Sequence, residues 1–169
     1  KLIVLNTSME NSLGEDNAFS MLFEMNTLYE EYIGNVIEGI WNNSYRRTKL
    51  QDNSKYLVNN LYTGRGNFNL KPDIVLSDEK GDFEIIIDTK WKSAESKVES
   101  ADMYQMYAYV TRYEKARSSI LLYPYHNEDY YRDWCLYNEV DKKIAVRVVR
   151  LESVDNTIED LKSILNEFS

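Results

Sequence analysis

Apolar residues recur at spacings of three and four at Leu22, Met25, Tyr29, Ile33, Val36, Ile37 and Ile40. That period predicts a helix over residues 18–41, with Asp16 or Asn17 as its cap. The polar stretch 6–17, with Gly14, reads as a loop. Further along the chain the pattern changes. Residues 72–77 and 83–90 read as two strands, and Asp78-Glu79-Lys80-Gly81-Asp82 between them is turn chemistry, so a hairpin is expected. Residues 44–62 are mixed and suggest a short strand followed by a helical turn. Gly64-Arg65-Gly66-Asn67 reads as a turn. A second helix is expected over 99–116, with Met103, Met106, Tyr107 and Val110 as its apolar face. An apolar strand over 118–123 is closed by Pro124, another strand covers 143–151, and a helix covers 156–168. Helices and strands in this order predict an α/β or α+β fold, a mixed central sheet flanked by helices, forming one domain over 1–169.

Composition narrows the chemistry. With 169 residues, 43% hydrophobic and 28% charged, the chain has the size and make-up of one globular domain. No apolar run approaches the roughly 18 residues of a membrane span. The single cysteine, Cys135, excludes an internal disulfide and a cysteine-built zinc cage; it is expected to be buried and inert. That count fits a reducing, cytoplasmic compartment. The single histidine, His126, removes multi-histidine metal sites. Catalysis, if present, must rest on carboxylates and lysines.

The net charge of -8 speaks against non-specific nucleic-acid binding. The charge is unevenly placed, however. Residues 1–40 hold one basic and seven acidic residues, residues 41–100 hold ten and nine, and residues 101–169 hold nine and twelve. The middle third is therefore the least acidic.

That middle third carries the informative segment, Lys71-Pro72-Asp73 followed by Ile85-Ile86-Ile87-Asp88-Thr89-Lys90. Asp88 and Lys90 are two apart on a strand and project from one face, while Thr89 points the other way with its carbonyl near the strand edge. Fourteen residues separate Asp73 from Asp88, so a hairpin brings them together. Two close carboxylates repel, and neither is stable buried alone. A hard divalent cation such as Mg²⁺ resolves the conflict with oxygen ligands and waters. A lysine beside it can act on a water and offset developing phosphate charge. The combination suits hydrolysis of a phosphodiester.

The pattern Pro72-Asp73 … Asp88-Thr89-Lys90 resembles the PD-(D/E)xK nuclease superfamily. It is most similar to the C-terminal nuclease domain of McrC, the endonuclease subunit of McrBC-type modification-dependent restriction systems. Two further stretches carry the resemblance, residues 22–32 and 102–109, and Leu121-Leu122-Tyr123-Pro124 adds a weaker match. The resemblance implies a restriction-endonuclease-like core and a Mg²⁺-dependent DNA endonuclease in which Mn²⁺ substitutes. It assigns Asp73, Asp88 and the Thr89 carbonyl as metal ligands and Lys90 as the catalytic lysine. It implies double-stranded DNA as substrate and a GTP-dependent, McrB-like AAA+ motor as partner. The N-terminal half through which McrC-like proteins engage that motor is expected to be absent from these 169 residues. Two other readings stay open: a non-catalytic interaction module on the same fold, and a repair or junction nuclease of the superfamily. The acidic balance favours the first of these, or a nuclease that relies on a partner to hold DNA.

Nucleases of this superfamily often use an acid from the first helix, and the chain offers Glu24, Glu30, Glu31 and Glu38. At about 100° per residue, with Ile33 at zero, the apolar stripe centres near about -30°. Glu24, Glu31 and Glu38 fall at roughly 140–180°, towards solvent, whereas Asn26 and Glu30 fall at about 20° and 60°. Glu30 is the acid placed to look into the fold. On the second helix Asp102, Gln105, Tyr109 and Arg112 share one stripe. Gln105 and Tyr109 resemble the QxxxY motif of RecB-like nucleases, in which the glutamine would bond a metal-bound water or a phosphate and the tyrosine would support the lysine. Tyr123-Pro124-Tyr125-His126 and Tyr130-Tyr131 form a candidate loop surface.

Overall fold

The computed structural model describes residues 24–43, 45–81, 84–92, 98–126 and 130–169. The elements run α1 (Met25–Trp41), β1 (Arg46–Leu50), β2 (Lys55–Asn59), β3 (Gly66–Leu70), β4 (Ile74–Asp78), β5 (Glu84–Thr89), α2 (Ser100–Arg112), β6 (Ala116–Pro124), β7 (Arg132–Cys135), β8 (Lys143–Val149) and α3 (Val154–Phe168). Six strands form one sheet in the order β1-β4-β5-β6-β8-β7, and β2 pairs with β3 in a separate two-stranded ribbon. The central strands β5, β6 and β8 are parallel, and the outer pairs are antiparallel.

Strand alternation divides the core into two layers. One set of side chains, including Ile74, Leu76, Ile85, Ile87, Ile120 and Leu122, packs against Tyr29, Ile33, Ile37 and Trp41 of α1 and Leu161, Ile164 and Leu165 of α3. The other set, including Val75, Ile86, Leu121 and Val146, packs against Met106, Tyr109 and Val110 of α2. The three isoleucines 85–87 thus serve both layers. This is the mixed α/β architecture expected, with the sheet covered on both faces.

Several elements depart from the sequence expectation. The helical turn expected in 44–62 is replaced by strand β2. Gly66 and Asn67 open β3, leaving the turn at 60–65. α2 ends at Arg112, four residues before the expected end, because Tyr113 leaves helical geometry to bury its ring in the core. Tyr107 is exposed and Tyr109 buried, so the apolar face of α2 is rotated towards Tyr109. Tyr123 is buried within β6 rather than displayed on a loop. Cys135 is exposed, on the short edge strand β7. α1 begins at Met25, with the non-helical Glu24 as its N-cap, rather than running unbroken from residue 18; residues 6–23, with Asp16 and Asn17, lie outside the described residues.

Candidate active site

The hairpin register brings the two acids together. Ile74 pairs with Ile87 in the antiparallel β4–β5 ladder, and one further step sets Asp73 opposite Asp88. Asp88 shares its strand face with Ile86, so its side chain looks towards α2. Its residue is only 2% exposed. Asp73 sits at the bend before β4 and is half-buried. One of its oxygens, Oδ2, accepts from the Thr89 backbone N–H at 2.7 Å and from the Thr89 hydroxyl at 2.8 Å. The Thr89 side chain therefore turns to Asp73 rather than away from the acids.

Lys90 follows β5 and keeps the parallel pairing alive by donating its N–H to the Leu122 carbonyl at 2.9 Å. That bond anchors its backbone. Its Nζ lies 2.6 Å from Asp88 Oδ2 and 3.8 Å from Asp102 Oδ1, and donates to Gln105 Oε1 at 3.0 Å. Gln105 Nε2 in turn donates to Asp88 Oδ1 at 3.2 Å and to the Tyr109 hydroxyl at 2.8 Å. The glutamine is a clamp: its carbonyl orients the ammonium and its amide orients the carboxylate. The polar stripe of α2 is thus turned inward, onto the strand ends, instead of being solvated. Lys92 extends the network, donating to Asp102 Oδ2 at 2.7 Å and Glu99 Oε1 at 2.8 Å.

Burial, then the adjacent Asp73, pushes the Asp88 carboxyl up to about 7, against the opposing pull of Lys90. Asp88 Oδ2 is buried and faces the Lys90 ammonium at 2.6 Å. A carboxylate oxygen has two lone pairs, so one such contact leaves room for a cation. Among the described residues, no group of three or more His, Cys, Asp or Glu side chains gathers to hold a metal ion alone. Two carboxylates stand opposite each other here, and Mg²⁺ is a cation that takes a few carboxylate oxygens and keeps several waters. These residues fit the ion.

Glu30 reaches this edge from the α1 layer. Its Oε1 accepts from Gln51 Nε2 at 2.6 Å, and Gln51 donates its own N–H to the Asp73 carbonyl at 2.7 Å. Glu30, Glu31, Leu50, Gln51 and Asp73 line one small cleft. Burial first, and Asp73 to a lesser degree, raise the Glu30 carboxyl above its ordinary value, with the Gln51 bond opposing. Glu24 and Glu31 are exposed, while Glu38 is half-buried rather than fully in solvent. Gln51 was not singled out from sequence. It holds a positive φ of 47°, and a lone glutamine between a strand and a loop carries no pattern that marks it. Trp91 packs against Tyr29 with ring centroids 5.5 Å apart, tying the segment after Lys90 to α1. His126 is exposed and, with Trp91, Lys92 and Tyr125, lines a neighbouring cleft of about 550 Å³.

A mixed sheet whose central hairpin presents two acids and a lysine to one helix is a nuclease-like fold. A family model described as "McrBC 5-methylcytosine restriction system component" matches residues 1–124. The chain belongs to this family. Among curated proteins, none matches. Among solved structures, the fold is similar to a chain in a half-complex from the tetradecameric assembly of Thermococcus gammatolerans McrB AAA+ hexamers with bound McrC. The TM-score is 0.55 and the identity 18%, over 83% of this chain and 33% of that one. The chain spans a third of that relative's length.

Proposed function

We propose that the chain is the metal-dependent endonuclease part of a McrC-type restriction component, hydrolysing phosphodiester bonds of double-stranded DNA. The observation that carries this reading is the pairing of Asp73 with Asp88 across one register step, with Asp88 buried and the Lys90 ammonium held 2.6 Å from its Oδ2. Asp73, Asp88 and the Thr89 carbonyl would hold Mg²⁺, or Mn²⁺ in its place. A bound ion of this kind lowers the pKa of a coordinated water and offsets charge on a phosphate. Lys90 would bring its ammonium to the attacking water and the scissile phosphate. Gln105 fixes where that ammonium sits, and Tyr109 fixes Gln105. Glu30, with its raised carboxyl, would take a proton from the water or orient it, at the outer edge of the site. The solved relative is a complex of McrC with McrB AAA+ hexamers, so a GTP-dependent AAA+ motor of that kind is the partner proposed for the complete assembly.

Titration calorimetry of the full chain with Mn²⁺ tests the ligand assignment. Strong loss of affinity in Asp88→Asn is expected, because half of the carboxylate pair is gone. Equal affinity in the two proteins would remove Asp88 from the metal site.

A further inference from the structure

The β2–β3 ribbon has no role in the site described above, and its composition is unlike the rest of the chain. From Asn53 to Lys71 there are three basic residues and no acidic one, in a protein of net charge -8. Every residue of β2 is exposed, and in β3 only Leu70 is buried. The tip displays Leu61 at 96% exposure and Tyr62 at 97%, and Phe68 on β3 is 73% exposed. Arg65, beside them, has no ion-pair partner among the described residues. An isolated two-stranded ribbon of this kind is marginal in water, so its order needs a reason.

That order is built in at both ends. At the tip, Asn60 Oδ1 accepts from the N–H groups of Tyr62 and Thr63, both at 2.9 Å, Gly64 donates to the Asn60 carbonyl at 2.8 Å, and Gly64 takes a φ of +68°. At the base, Arg112 Nε donates to the Tyr56 carbonyl at 2.8 Å, and Asn69 Nδ2 bridges the carbonyls of Asn53 and Lys55. Tyr113 donates to Asp52 Oδ2 at 2.7 Å, pinning the entry of the ribbon to the end of α2. Gly66 lies against the Tyr56 ring so closely that a Cβ there would come within 2.4 Å of it. The ribbon is a braced arm. It also leads into the site: β3 ends at Leu70, and Asp73 follows after Lys71 and Pro72.

We propose that this arm grips the duplex beside the scissile phosphate, with Arg65 on the backbone and Leu61 and Tyr62 against the bases. The proposal rests on the DNA endonuclease reading and names the surface that receives the substrate. A two-stranded β-ribbon is one of the two protein elements the major groove admits. Five-residue strands reach about 17 Å, enough to carry the tip across a groove roughly 12 Å wide. Apolar side chains at such a tip can meet the thymine methyl groups on base edges, and an unpaired arginine can meet phosphate. The absence of carboxylates along the arm matters most, because an acidic protein must confine its approach to DNA to a region that does not repel it.

The test uses the full chain, a fluorescein-labelled duplex with Ca²⁺ in place of Mg²⁺, and anisotropy at several salt concentrations. Leu61→Ser/Tyr62→Ala/Arg65→Ala is expected to raise the Kd about tenfold or more while leaving Mn²⁺ affinity unchanged in calorimetry. Arg65→Ala alone is expected to reduce the salt slope by about one. Asp88→Asn should do the converse, losing cleavage while keeping duplex affinity. If the triple variant binds duplex as the unaltered chain does, the arm is not a DNA grip; a simultaneous fall from dimer to monomer in sedimentation would assign it to a second copy of the chain. In that case cleavage by the unaltered chain leaves the endonuclease reading standing. If the unaltered chain neither binds nor cuts duplex, with an AAA+ partner as well as without, the endonuclease reading itself fails and the arm proposal falls with it.

Discussion

Asp88→Asn is expected to stabilise the metal-free chain at pH 8 while removing its cleavage activity. The Asp88 carboxyl moves from an ordinary 3.8 to about 7 in the folded state. Its folded pKa lies above the unfolded one, so the folded state holds its proton more tightly. Stability from this group is complete below about pH 4, declines as pH rises, and is lost once pH passes about 7. Three pKa units correspond to about 4 kcal/mol as an upper bound. The substitution also takes the counter-charge from Lys90, whose ammonium keeps Gln105 Oε1, the more distant Asp102 and partial contact with water. That loss is about 1 kcal/mol or more, leaving a net gain of about 2 kcal/mol at pH 8. For a chain of this size the melting temperature should rise by about 4–8 °C. Below pH 4 the two proteins should be alike. The assay is urea unfolding of both proteins at pH 4 and pH 8, in EDTA and in excess Mn²⁺. Manganese should raise the stability of the unaltered chain alone, by about 2–3 kcal/mol at one hundred times its Kd. If Asp88→Asn is the less stable protein at pH 8 in EDTA, Asp88 is a structural ion-pair partner of Lys90. The case for a buried carboxylate held at a cost for a cation would then be lost.

Three further outcomes follow from the same geometry. Lys90→Ala removes a positive charge but no ligand, so Mn²⁺ affinity should be undiminished while single-turnover cleavage falls on the order of 10²-fold or more; a drop in metal affinity of similar size would contradict this. Glu30→Gln should lose less activity than Asp88→Asn, and Glu24→Gln, at the exposed start of α1, almost none; an inactive Glu24→Gln beside a near-normal Glu30→Gln would transfer the role to Glu24. Asp52 is buried, which pushes its carboxyl up, but Lys49, Tyr113 and Ser54 outweigh that and bring it below the ordinary value. Its contribution is therefore present above about pH 4 and lost as pH falls below it, and Asp52→Asn should cost about 2 kcal/mol at pH 7 but little at pH 3 in urea unfolding.

The acid–lysine hairpin was legible because its determinants are local. Turn chemistry in the sequence between β4 and β5 signals an antiparallel pair, and alternation then dictates that Asp88 and Lys90 share a face. The inward stripe of α2 was visible as spacing, though only the structure shows that Gln105 joins Lys90 to Asp88. The helix phase that favours Glu30 is also a local property, and the structure sets Glu30 in one cleft with Asp73. What could not be read was built from long-range or one-off contacts. β2 and β3 are exposed on both faces, so they lack the alternation that marks a half-buried strand. β7 is four exposed residues on a sheet edge. Its one cysteine followed the usual preference of free thiols for burial only on paper. Gln51 depends on a left-handed backbone position and two partners, one 21 residues away in the chain.

The most direct measurement is metal-dependent nicking of plasmid DNA by the full chain, with and without an AAA+ partner, compared with Asp73→Asn and Asp88→Asn. The expected result is cleavage that requires Mg²⁺ or Mn²⁺, is strengthened by the partner, and disappears in both variants. Cleavage that survives EDTA, or equal rates for the unaltered chain and Asp88→Asn, would contradict the assignment of this carboxylate pair as the catalytic centre.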